Sequence, residues 1–147
     1  MALASDRRAV ARAVRSLGGL FKVVWWEGNA YPGKFRPDEL FMPWAARCDL
    51  LILLVGPTLT KNTKREYDLS VRNRRSQLVL FKTCSSRDRS AQRFRSKLHA
   101  ATYCDYRNGS ELRTLVIRAL KGNVTRLTRV GQRFDVGTRA HYSQLGV

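Results

Sequence analysis

The chain has 147 residues, 44% of them hydrophobic, with 28 Lys and Arg against 11 Asp and Glu and a net charge of +17. That length fits one domain with an appendage but not two, and the apolar fraction excludes a disordered chain. The charge predicts attraction to polyanions: nucleic acid, nucleotide phosphates or an anionic membrane surface.

From Ser5 a helical pattern begins, with Val10, Ala13, Val14 and Leu17 on one face and arginines around the rest. Ser5 or Asp6 is the expected N-cap, and Gly18-Gly19 the end. Leu20 to Trp26 is short and β-favouring and predicts a strand; Gly28 to Pro37, with two Gly and two Pro, predicts a loop. Pro37 to Arg47 predicts a helix that Pro43 should break or kink. Leu50 to Val55 is continuously apolar, the mark of a central parallel strand buried on both faces. A helix over Thr63 to Asn73, a strand over Gln77 to Lys82, a basic helix over Arg87 to His99 and a strand over Thr102 to Tyr106 follow. Ser110 is expected to cap a last helix whose stripe is Leu112, Leu115, Val116, Ala119 and Leu120.

The alternation of helices and strands predicts a three-layer α/β, flavodoxin-like domain over residues 1–122, with a mostly parallel sheet of four or five strands. Residues 123–147, with four Arg and one Asp, are expected to be a basic tail or the start of a further segment. Only Met1 to Ala4 precede the first helix, too short for a strand of about five residues, so the first strand is expected to be largely missing.

No apolar run approaches the roughly 18 residues of a membrane span. The N-terminus reaches charge at once, unlike a secretory signal. Cys48, Cys84 and Cys104 are odd in number and widely spaced, which argues against a disulfide scaffold or a zinc site and for reduced thiols in a cytoplasmic protein. No metal site and no obligatory cofactor is expected.

Four stretches then carry a resemblance. They are Ala4-Ser5-Asp6-Arg7-Arg8; Ala46-Arg47-Cys48-Asp49 with the strand through Gly56; Thr63-Lys64-Arg65-Glu66-Tyr67; and Gln77 to Lys82. In order and spacing they resemble the Toll/interleukin-receptor-like (TIR-like) domains of unknown function found at the N-terminus of bacterial signalling NTPases and defence proteins, distant relatives of the nucleoside deoxyribosyltransferases. The resemblance implies a signalling or sensor module that binds a nucleotide-like ligand, associates with itself or serves a fused partner domain. It also implies a second reading, an enzyme cleaving the N-glycosidic bond of NAD or a nucleoside. A third reading, a nucleic-acid-binding protein, comes from the charge.

Glu66 is the catalytic candidate of the second reading. A carboxylate beside C1′ stabilises the positive charge that builds on the ribose as the bond breaks. The competing role is structural: Thr63-x-x-Glu66 reads as a capping box. Ser5, Asp6, Gly56 and Thr58 fall where strands end and helices begin, the edge at which such sheets bind phosphates, though an N-cap or a turn would look the same. Trp26 is a candidate stacking residue, with core packing as its alternative. Lys61 to Lys97 holds twelve Lys and Arg against Glu66, Asp68 and Asp88, and makes Arg72, Arg74, Arg75, Arg93 and Arg95 candidate polyanion contacts, against the reading of a solvated face.

Overall fold

The computed structural model describes residues 3–23 and 37–131. In chain order these form α1 (Ala4–Arg15), a 3-10 turn (Gly18–Leu20), α2 (Pro37–Arg47), β1 (Leu50–Val55), α3 (Lys61–Arg72), β2 (Ser76–Lys82), α4 (Arg89–Lys97), a 3-10 turn (Ala100–Thr102), β3 (Tyr103–Tyr106) and α5 (Gly109–Gly131).

The described sheet has three parallel strands in the order β1-β2-β3. Leu50 pairs with Ser76 and the register runs to Val55 with Phe81; Val79 pairs with Tyr103 and the register runs to Lys82 with Tyr106. Because side chains alternate across a strand, Leu50 and Leu80 face α1 and α5. There they join Tyr106, Val10, Ala13, Val14, Leu112, Val116 and Leu120 in one core. Leu53, Val55, Val79 and Phe81 face the other way and pack with Ala91 and Phe94 of α4, and with Tyr67 of α3 at the margin. Helices on both faces of a parallel sheet make this a three-layer, flavodoxin-like α/β arrangement. Helix α2 packs along α3 in the second helical layer.

Several local expectations are corrected. Leu20 belongs to a 3-10 turn, and Lys22 makes only an isolated bridge, so no strand starts there; Val24 to Trp26 lie outside the described residues. Helix α2 passes through Pro43 unbroken. Proline removes one ladder bond, and packing along α3 carries the helix past it. The strand expected to be central, β1, pairs on one side only among the described residues, and β2 takes the middle. Both faces of β1 are nevertheless covered, which is what its continuous apolarity requires.

The helix ends also differ. Helix α1 has Leu3 at its N-cap with no side-chain cap, so neither Ser5 nor Asp6 caps it. Helix α3 starts two residues early: Thr60 is the N-cap, and its Oγ1 accepts from the Thr63 N–H at 3.2 Å. Helix α5 is capped by Asn108, whose Oδ1 accepts from the N–H groups of both Ser110 and Glu111 at 3.0 Å, rather than by Ser110. Asp88 caps α4 through the Ala91 N–H at 2.7 Å. The backbone of α5 continues past Gly122 to Gly131.

The C-terminus of α3 is closed by two reversed bonds, Arg75 N–H to Ser70 O at 2.8 Å and Arg74 N–H to Val71 O at 2.9 Å. This is a Schellman closure, which needs a left-handed residue. That residue is Arg74, with φ 56°, where glycine is the usual occupant.

Candidate polyanion surface and the sheet edge

At the C-terminal edge of the sheet Asp6, one of the expected ligand residues, holds the fold together. Asp6, in the first turn of α1, is buried. Its Oδ2 accepts from Lys82 Nζ at 2.8 Å and from the Tyr106 hydroxyl at 3.0 Å. Lys82 and Tyr106 are register partners at the ends of β2 and β3. Burial, followed by the neighbouring Asp6 carboxylate, pushes the Tyr106 hydroxyl pKa well above its ordinary value. The Asp6 side chain is therefore spent on two internal partners. The signals for this triad were a lone lysine ending an apolar strand and a tyrosine ending the next.

Gly56 is buried, and a Cβ placed on it would stand 3.5 Å from Leu3 Cδ1. It packs under Leu3 and offers no open backbone to a ligand. Ser5 and Thr58 are exposed. Trp26 lies outside the described residues.

Glu66 sits in the sixth position of α3, half-buried, with no hydrogen bond or ion pair among the described residues. Since Thr60 is the cap, Glu66 lies a turn too far along to close a capping box, and that expectation is corrected. Burial pushes its carboxyl pKa above the ordinary range. No hydrogen bond joins it to Ser5, Asp6 or Thr58 among the described residues.

The basic residues divide into two sets. Arg75 Nε donates to the Ala46 carbonyl at 3.0 Å, which ties the start of β2 to α2. Arg95 grips Asp105 with two bonds, Nη1 to Oδ1 at 2.5 Å and Nη2 to Oδ2 at 2.7 Å, and lies over the rings of Phe81 and Tyr103. That grip holds the Asp105 carboxyl below its ordinary pKa. Both arginines are committed inside the fold. Arg72, Arg74 and Arg93 are exposed.

Arg93 is the middle rung of a ladder that its own number did not reveal. Arg89, Arg93 and Lys97 are all exposed along α4. Their spacing of four places them on one side, about 6 Å apart at 1.5 Å rise per residue. Alanine and phenylalanine at Ala91 and Phe94 turn the opposite side into the core. Helix α3 lies alongside, joined by the edge-to-face contact of Tyr67 with Phe94 at 4.9 Å. It adds exposed Lys61 and Arg72, and Arg74 just beyond its end. None of these six cations makes an ion pair among the described residues.

No helix among the described residues is long and apolar enough to cross a membrane. No protein-family model, curated protein or solved structure matches the chain.

Proposed function

We propose that this domain is an interaction module that binds polyanions, with the phosphate backbone of nucleic acid as its ligand class, across the outer surface of α3 and α4. The observation that carries the reading is the row Arg89, Arg93 and Lys97, exposed on one side of α4 and without an ion pair among the described residues. A solvated helix face gains nothing from one-signed charge: like charges at i, i+4 repel by a few tenths of a kcal/mol. Arg74 supports the same reading. It holds a left-handed backbone position where a glycine would relieve strain, and strain of that kind persists where the side chain serves a purpose. An interaction module is also what the resemblance to TIR-like domains implies.

Backbone recognition of this type is sequence-independent and salt-sensitive, each neutralised phosphate contributing about −0.9 to the slope of log K against log salt. Fluorescence anisotropy with labelled duplexes of unrelated sequence is expected to give equal affinities and a slope of about −3 or steeper. Charge reversal at Arg93 and Arg72 together should flatten the slope by at least one. Charge reversal at Arg12, on the opposite helical layer, should change it less. Binding that ignores salt, or that survives reversal at Arg93 and Arg72 unchanged, overturns the assignment.

A further inference from the structure

The other helical layer carries a basic face of its own. Helices α1 and α5 pack side by side, and Val10, Val14, Val116 and Leu120 are buried in the core they share with the sheet. Arg8 stands two residues before Val10, Arg12 two before Val14, and Arg118 two from both Val116 and Leu120. Two residues of α-helix turn by about 200°, so these three arginines point away from the sheet. All three are exposed, and none makes an ion pair among the described residues. Arg8 and Arg12 are four apart, the spacing at which like charges stand about 6 Å from each other and repel. Arg15 is exposed a turn further along.

The acids of these two helices leave that charge in place. Asp6 is buried, and its Oδ2 accepts from Lys82 and Tyr106. Glu111 is turned to the start of its own helix, where Oε2 accepts from the Arg107 N–H at 2.8 Å and Oε1 stands 3.8 Å from Arg107 Nε.

This face and the α3–α4 face are separate. The sheet lies between them, with one helical layer on each side. Helices about 10 Å across on both sides of a sheet set the outer surfaces about 30 Å apart. The Debye length at physiological salt is about 8 Å, so a polyanion bound on one face is screened from the other. A short duplex is stiff, since bending it over such a distance is costly. One laid along α3 and α4 therefore leaves the charge of α1 and α5 unneutralised.

We propose that the outer side of α1 and α5 is a second polyanion surface, and that the domain bridges two nucleic-acid duplexes, one on each helical layer. The proposal rests on the α3–α4 reading and adds to it a second site and a cross-linking role. Arg8, Arg12 and Arg118 contact phosphates there, without reading sequence.

The test uses the full chain, a short duplex fixed to beads and a fluorescent duplex of unrelated sequence in solution. The chain should carry fluorescence to the beads. Excess chain should abolish that capture, because each duplex then holds its own copy. Arg8→Glu combined with Arg12→Glu should lower capture at least tenfold, while affinity for a single duplex, read by anisotropy, moves less than threefold. Arg118→Glu, on the neighbouring helix, should lower capture in the same direction, and it decides the matter if the double variant does not fold. No capture by a chain whose single-duplex binding is intact and depends on Arg93 and Arg72 overturns the bridge and leaves the α3–α4 reading standing. Capture unmoved by the reversals on both α1 and α5 also overturns it, since associated copies of the chain would then be holding the duplexes together. Single-duplex binding indifferent to Arg93 and Arg72 overturns the α3–α4 reading, and the bridge with it.

Discussion

Asp6 on α1 and Tyr106 on β3 are joined by a hydrogen bond of 3.0 Å although one hundred residues separate them in the chain. Lys82 on β2 reaches the same carboxylate oxygen from 76 residues away. One buried carboxylate thus fastens the first helix to two adjacent strand ends. Tyr106 is fully buried, and a buried phenol needs a partner for its hydroxyl.

Asp6→Ala is expected to cost about 2–4 kcal/mol in urea denaturation, because it strands the Tyr106 hydroxyl and removes the counter-charge of Lys82. Asp6→Asn keeps one acceptor oxygen and should cost less. The linked pH effect has a definite sign. Tyr106 holds its proton more tightly in the folded chain than in the unfolded one. Its contribution is therefore complete below the ordinary tyrosine value of about 10 and is lost as pH rises beyond it. Tyr106→Phe should remove that part of the alkaline loss. A cost below about 0.5 kcal/mol for Asp6→Ala, the range of ordinary surface changes, would show that the triad does not fasten α1.

Glu66→Gln separates an unpartnered, half-buried carboxylate from a catalytic one. As a cap partner the glutamate would stabilise α3. In the structure Thr60 does that work, and Thr60→Ala should cost about 1 kcal/mol. The Glu66 carboxyl is half-buried and its pKa is raised. The unfolded chain then ionises first as pH rises, so stability is complete below about 4.5 and declines above it. Glu66→Gln should therefore gain about 0.5 kcal/mol at pH 7 and nothing at pH 4, read from the urea midpoint at each pH. A loss at pH 7 would show that the ionised carboxylate has a stabilising partner in the folded chain. Release of nicotinamide from NAD by the wild type, abolished in Glu66→Gln, would establish the catalytic one.

Arg74→Gly trades a strained side chain for a residue at ease with φ near 56°. The left-handed conformation costs a non-glycine residue roughly 1–2 kcal/mol, offset in part by the extra freedom of glycine in the unfolded chain. A net gain of about 0.5–1 kcal/mol in thermal or urea unfolding is expected. Duplex affinity should fall in the same variant. A stabilised protein with undiminished duplex affinity would remove Arg74 from the polyanion surface.

The sequence by itself determined the order of elements and which side of each is apolar. Leu50 to Val55, Leu78 to Phe81 and the stripe Leu112, Val116 and Leu120 are local patterns of period two or 3.6, and their burial follows from them. The three-layer class follows too, because parallel strands need helical crossovers. The ends of helices were less legible. Thr60 and Thr63 are both capping residues by type, and so are Asn108 and Ser110. Which of each pair takes the role depends on where the incoming chain leaves the strand.

Only the tertiary structure decided what the polar residues do. Asp6, Lys82 and Tyr106 meet because the register sets Lys82 beside Tyr106 and α1 crosses above both strand ends. Arg95 and Arg93 differ by two positions on one helix, which turns one onto Asp105 and the other to solvent. A periodicity in the chain records which side faces inward, since burial acts on every residue of an element alike. It does not record a partner tens of residues away, since that depends on how strands order themselves in the sheet, and there a few side chains with opposite charge or spare donors settle the pairing.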